Sequence, residues 1–470
     1  MKCLVKAGLT AVLVVLTASM AFSEPLTLDD CIELALKNRA SIIAARGEET
    51  LAKWGTRTAL GAFLPRVNAS YSHSKTKDAD IKSDDLEPSA WGVFYDTAIF
   101  LNMDSSVADS FLVEYQSPVA YEVVQKMYGD QDRVGKSYGV DARMSLFDLA
   151  NWFNYAGAKA GRAKAHLDVI ASEQALIYSV KVSYYAYLAT IENVAVQEQA
   201  VERSEEQLKL INSKFELGSA SKSDVLKQKV QFGNDKLTLL SAQNAVTSTR
   251  AGLAYTIGIN PASDVEFSTD YTIREFSGTL DEAITFGIEH EPGLLASHKS
   301  LDMARHSVRS RWSEYMPKLA GWASIGWSDG TRGDTVTFNF SSKSTTIGLQ
   351  VTYNIFDGFW RERNLSTARV RQNTARAELA DMRNRVSRDI NTAYLDIKQL
   401  REKKNVARET VEAAGEDLKI TQEKYSLGAA TILDLLDAQV SLKEAQVSMI
   451  STDFDLNLAV AKLEHAMGKM

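Results

Sequence analysis

The sequence predicts a mixed fold. It contains four membrane-spanning β-strands and two very long α-helical hairpins, laid out as two tandem copies of one unit. Three observations carry this. The same landmarks recur in the same order in both halves of the chain. Segments of about ten residues alternate apolar with small or polar side chains. Proline is absent between Pro118 and Pro261 and again after Pro317, so two long stretches are free to be helix.

The repeat is read directly from aligned segments. LTLDDCIELALKN (26–38) matches GTLDEAITFGIEH (278–290). GAFLPRVNASYSHS (61–74) matches SEYMPKLAGWASIGWS (313–328), with Pro65 over Pro317. VDARMSLFDLANW (140–152) matches LQVTYNIFDGFW (349–360), with Phe147-Asp148 over Phe356-Asp357. KFELG (214–218) matches KYSLG (424–428), and AGLAYTIG (251–258) matches AKLEHAMG (461–468). The spacing shifts in one place, where the first copy carries a long insertion within 75–137. The expected division is a first repeat at 24–258, a linker at 259–278 and a second repeat at 279–470.

Residues 1–23 read as a secretory signal peptide. Lys2 and Lys6 precede a short apolar core, Leu9 to Leu16, and small residues near Ala21 and Ser23 offer a cleavage site. Cys3 would leave with it, so Cys31 stands alone and no intrachain disulfide is expected. No later apolar run is long enough for a transmembrane helix. A formal net charge of -7 argues against binding to nucleic acid.

Each repeat opens on a helix start, Thr27 or Thr279, followed by Leu-Asp and a second acid. A second helical stretch ends at the proline. Period two then takes over, predicting strands at about 65–74, 138–147, 318–328 and 346–356. Val67, Ala69 and Tyr71 alternate with Asn68, Ser70 and Ser72, and Tyr138 to Leu146 alternate with Gly139 to Ser145. Leu319, Gly321, Ala323, Ile325 and Trp327 mark the third strand; Ile347, Leu349, Val351, Tyr353 and Ile355 mark the fourth. The length suits a membrane strand of roughly 9–11 residues. Six of the seven tryptophans (91, 152, 312, 322, 327 and 360) lie in or beside these segments, as interfacial girdles do. Four strands cannot close a barrel, and a bilayer tolerates no open edge, so several chains must contribute; three chains give twelve strands.

After each second strand the period changes again. Ile177, Val180, Tyr184, Tyr187, Ile191 and Val194 step by three and four, as do Val411, Ala414, Leu418, Thr421 and Tyr425. The helical stretch from about Asn151 to Asn212 would be ~90 Å long at 1.5 Å per residue. The chain then reverses at 217–220 and at 427–430, and a returning helix follows each turn.

Together, the duplicated TLDxx helix start, the FLP and YMP strand entries, the SLFD and NIFDG strand exits, and the Leu-Gly turn followed by D-x-L resemble outer membrane efflux proteins of the TolC family, over essentially the whole mature chain. The resemblance implies a homotrimer with one 12-stranded transmembrane β-barrel in the cell outer membrane of a Gram-negative bacterium. A long α-helical barrel would continue it into the periplasm. It implies a passive exit duct of a tripartite efflux or type I secretion system. The duct would be opened by an inner-membrane pump or ABC exporter and a periplasmic adaptor (membrane fusion) protein. No cofactor, metal or catalytic residue is expected.

The resemblance also assigns candidate residues. Asp434 and Asp437 share a helix face by their i, i+3 spacing, and would ring the periplasmic constriction with six carboxylates, raising some of their pKa values by crowding. Helix-dipole stabilisation near Gly428 is the plainer role for these acids. Ser223, Asp224 and Tyr425 inherit tip closure. The family's closing arginine is replaced here by Ala430, leaving Lys222 or Lys227 as possible substitutes. Leu217, Gly218, Leu427 and Gly428 would meet the adaptor, although a glycine that merely reverses the helix explains each turn equally well.

The acids and aromatics of 75–137, including Asp84, Asp85, Trp91, Phe94, Tyr95 and Phe100, are expected in an extracellular loop folded over the barrel mouth. His290, His298 and His306 recur every eight residues, which does not suit shared metal ligation on a helix. The alternative reading is a soluble periplasmic coiled-coil scaffold or adaptor; the alternation at 138–147 and 347–356 argues against it. No enzymatic motif is present.

Overall fold

A computed structural model describes residues 25–76, 133–263, 265–271, 276–332 and 342–470. The expected signal peptide at 1–23 and nearly all of the 75–137 insertion lie outside the described residues, Trp91 included. The element order is α1 (Leu28–Asn38), α2 (Ala40–Gly61), β1 (Arg66–Thr76), β2 (Arg133–Phe147), α3 (Leu149–Glu216) and α4 (Lys222–Ile257), then α5 (Leu280–His290), α6 (Pro292–Trp312), β3 (Lys318–Arg332), β4 (Ser342–Thr352), α7 (Trp360–Ser426) and α8 (Ile432–Ala466). No described helix is long and apolar enough to cross a membrane. The chain divides into two compact units. Each draws residues from both halves of the sequence.

The unit formed by Arg57–Tyr155 and Arg309–Leu365 is built on a four-stranded antiparallel sheet, in order β1-β2-β3-β4. Its register sorts the side chains by face. Tyr71, Tyr138, Trp327 and Lys343 form one row; Ala69, Val140, Ile325 and Thr345 the next; then Val67, Ala142, Ala323 and Ile347; then Met144, Gly321 and Leu349. All of these lie on the same face. The opposite face carries Ser72, Ser137, Ser328 and Ser342 in one row and Ser70, Gly139, Gly326 and Ser344 in the next. Below them come Asn68, Asp141, Ser324 and Thr346, and then Arg66, Arg143, Trp322 and Gly348. The first face is largely apolar through the band, Lys343 and Thr345 on β4 excepted, and exposed, with Ile347 80% and Leu349 73% accessible. A sheet whose apolar face has no core to cover it is a lipid-facing sheet. Among the described residues the outer edges of β1 and β4 have no partner strand.

Both strand entries and exits are anchored by the residues the repeat duplicates. Phe63, two before Pro65, packs edge-on against Trp152 at the start of α3, with ring centroids 4.9 Å apart. Its counterpart Tyr315 carries Arg361 4.8 Å over its ring and donates to Glu362 Oε1 at 3.2 Å. Asp148 accepts the Ala150 amide at 3.0 Å, and Asp357 holds Arg361 at 3.0 Å. The expected fourth strand differs. β4 ends at Thr352, so Tyr353 and Ile355 lie beyond it. Thr352 pairs with Lys318, the residue after Pro317 where β3 begins, and no partner backbone remains for residues past it. β2 and β3 are longer than their alternation suggested, because each finds a long partner in the other.

The second unit comprises residues 1–56, 156–308 and 366–470. Its helix starts are chemically explicit. Thr27, Ser221, Thr279 and Thr431 are N-caps, each completing a capping box with the acid three residues on: Asp30, Asp224, Glu282 and Asp434. Two related apolar clusters follow. Cys31, Ala35 and Ile42 pack with Val180, Tyr184 and Leu188 of α3 and Leu253 and Ile257 of α4. Ala283 and Leu294 pack with Val386, Ile390 and Ala393 of α7 and Val460 and Leu463 of α8. Tyr184 also donates to the Ser268 carbonyl at 2.7 Å, and Leu26 donates its N–H to Glu266 O and accepts from Ser268 N–H, which pins the start of α1 to the segment after α4. Burial pushes the Cys31 thiol up to about 12, which leaves it an inert core residue.

The hairpins are tied by buried polar groups as well. Lys443 of α8 sits 3.0 Å from Asp235 of α4, whose side chain is 5% exposed and also accepts from Gln231 at 3.1 Å. Gln228 donates to the Ser204 carbonyl at 3.0 Å.

Three pairs of predictions follow from this packing, each read by denaturant unfolding monitored through helical circular dichroism. Gly428 has φ 75° and open space around a built Cβ, so Gly428→Ala should cost about 1–2 kcal/mol from backbone strain alone. Gly428→Asn should recover part of this, because asparagine tolerates that conformation. A Cβ on Gly287 would collide with the Ile390 side chain, so Gly287→Ala should cost about 1–3 kcal/mol and Gly287→Asn more. Lys443→Met should cost about 3 kcal/mol by stranding the Asp235 carboxylate, whereas the double change Lys443→Met/Asp235→Leu should recover most of it.

Candidate functional site: the two hairpin tips

The tips are built from local signals. α3 ends in a Schellman turn: Ser219 N–H donates to Lys214 O at 2.8 Å, Gly218 N–H donates to Phe215 O, and Gly218 takes φ 79°. α7 ends identically, with Ala429 N–H on Lys424 O at 2.8 Å and Gly428 N–H on Tyr425 O. Three residues after each glycine the next helix is capped, by Ser221 or Thr431. Each reversal therefore uses very few residues and leaves its leucine outside. Leu217 is 83% exposed and Leu427 84%.

The two tips share an apolar cluster. Ile211 and Val225 of the first hairpin pack with Leu418, Ile432 and Leu435 of the second, and Tyr425 lies against them, half-buried. Lys214 of the first hairpin crosses to the second. Its Nζ donates to Tyr425 O at 3.2 Å and to Ser426 O at 3.4 Å, and lies 4.7 Å over the Tyr425 ring. Those carbonyls end α7, where the helix dipole is negative and intrahelical donors run out. A hollow between the tips is lined by Lys214, Asp224, Lys227, Tyr425, Gly428 and Ala430. Burial, and then the Asp224 charge, pushes the Tyr425 phenol up.

The expected site residues fall out unevenly. Asp224 and Tyr425 face the same hollow; Ser223 is exposed and does not line it. Asp434 is a capping residue: its Oδ2 accepts from Thr431 N–H at 2.8 Å and Thr431 Oγ1 at 2.8 Å. These bonds hold its carboxyl below the usual range, opposite in direction to the crowding shift expected for a ring of acids. Asp437 is exposed, and among the described residues it has no ionic or hydrogen-bond partner. Of the lysines named for the missing arginine, Lys222 stands 5.4 Å over the Phe215 ring and Lys227 lines the hollow. The cation that reaches the second hairpin is Lys214, which sequence reasoning passed over. Its signal was present: a lysine at the same place in the last helical turn of both repeats, Lys214 and Lys424.

The sequence profile of the outer membrane efflux protein family matches residues 125–258 and 287–469. The outer membrane efflux protein BepC of Brucella suis is 21% identical over 339 residues, covering 72% of this chain and 73% of that protein. The outer membrane protein TolC of Vibrio cholerae is 24% identical over 352 residues, covering 71% and 77%. The crystal structure of the outer membrane protein VceC of Vibrio cholerae superposes with a TM-score of 0.74 at 18% identity, covering 94% of this chain and 96% of that one. A profile match over most of both repeats, on a chain with this fold, makes the protein a member of the outer membrane efflux protein family.

Proposed function

We propose that the protein is the outer-membrane exit duct of an efflux or type I secretion system, working as a homotrimer. The observation that carries this is the sheet: one face largely apolar, one face polar, and two edges with no partner strand among the described residues. Such a sheet is satisfied in a bilayer only when other copies complete it, with the polar face lining a lumen. Its family is a channel family and not an enzyme family. The duct spends no energy of its own, so an inner-membrane pump or exporter and a periplasmic adaptor must supply the drive and the opening. The exposed Leu217 and Leu427, beside glycines with open space, suit docking of an adaptor tip.

At the tips, three copies of Asp437 would form an acidic constriction, with Asp434 adding charge from its cap. Tyr425, Asp224 and Ser223 belong to the contacts that keep the tips shut. Lys214 strengthens that closure by binding the end of α7.

Single-channel recording in planar bilayers tests the duct. A small cation-selective current is expected, blocked by a multivalent cation from the periplasmic side. Absence of any current would favour the soluble scaffold reading. Asp437→Asn should weaken the block about tenfold or more, the equivalent of ~1.4 kcal/mol, with the fold unchanged. Lys214→Gln should raise the mean current by loosening the tips. The Asp434 cap gives a pH dependence of known sign. Its folded pKa is lowered, so its stabilisation is present above the unfolded value near 4 and is lost as pH falls below it. Acid should therefore fray the start of α8, read as faster amide exchange at Leu433 to Leu435, and Thr431→Ala should remove that dependence.

A further inference from the structure

At its far end the polar face of the sheet has Arg133 in register with Arg332, and from there its rows carry serine, glycine, threonine and asparagine, with Asp141 among them. Near the Pro65 and Pro317 entries this changes. Arg66 and Arg143 stand directly opposite each other on adjacent strands, on the same face. Like charges so placed destabilise a sheet. Both side chains are exposed, and among the described residues neither has an ionic or hydrogen-bond partner. The acid next to them, Asp141, is engaged by Asn68 Nδ2 at 3.2 Å. Lys318, further along this face, is paired with Asp148 at 3.3 Å. The row continues into Trp322, whose indole lies across Gly348; a Cβ there would come within 2.7 Å of it. The sheet thus keeps two unpartnered guanidinium groups beside a flat aromatic surface, at one level.

We infer that Arg66 and Arg143 form an anion-attracting level in the lumen, selecting carboxylate- or phosphate-bearing solutes as they enter the strand-lined part of the duct. The inference rests on the duct reading, because only that reading makes the polar face a lumen wall. In three copies the level holds six guanidinium groups. An arginine fork fits the planar oxygens of carboxylate and phosphate, which a lysine does not match. The level is separate in sequence and sign from the acidic residues of the hairpin tips. Permeating ions would therefore meet two rings of opposite charge, and the net selectivity would be their sum.

The test is the chloride-to-potassium permeability ratio, from reversal potentials in a potassium chloride gradient across a planar bilayer. Arg66→Gln/Arg143→Gln should lower that ratio at least about threefold. Asp141→Asn should raise it. Arg66→Lys/Arg143→Lys should keep the native ratio for chloride, while losing the slowing of chloride current that inorganic phosphate causes in the native channel. A glutamine double variant that conducts with an unchanged ratio overturns the inference and leaves the duct intact. Should that variant fail to insert, Asp141→Asn decides, and an unchanged ratio there overturns it equally. No current from the native protein would remove the duct reading and this inference together.

Discussion

The sheet unit of this chain depends on its backbone hydrogen bonds. A strand edge in hydrocarbon leaves donors and acceptors with nothing to pair, at a cost of several kcal/mol for each group. β1 and β4 present such edges, and the chain contains no strand to cover them among its described residues. Additional copies of the same chain are the economical solution. β1 and β4 are each 11 residues long, so an edge of one copy matches an edge of the next. The proposed oligomerisation would answer this demand of the sheet, before any side chain at an interface is considered.

The helical unit solves a different problem, the precise reversal of very long helices. Here the answer is local and repeated. The same Schellman glycine ends α3 and α7, and the same capping box starts α4 and α8. Local chemistry fixes where each hairpin turns. It also constrains function, because Asp434 is bound into its cap and only Asp437 is left with its carboxylate uncommitted. The two acids that look equivalent by spacing are thus different in kind. One caps the start of α8 and the other is exposed with no partner among the described residues.

Contacts between the hairpins were not legible in the same way. Lys214 with the end of α7, and Lys443 with Asp235, join residues more than 200 positions apart. In the sequence nothing close to either lysine marks the group it meets. The opposition of Arg66 and Arg143 is similar: two arginines separated by a long insertion, placed in register only by strand pairing. Charge matters at these places because of what lies opposite, which is a property of packing.

The sequence by itself determined the repeat, the helix starts at Thr27 and Thr279, the Leu-Gly reversals and the existence of four alternating strands. These are short-range matters: a cap, a φ angle or a period of two is settled within a few residues. Tertiary structure alone decided where pairing stops, as at Thr352, which rows of side chains form, and which lysine reaches across the tips. The physical reason is the same in each case. A strand end depends on the length of its partner, and an ion pair depends on which buried neighbour arrives opposite it. Neither is written within reach of the residue concerned.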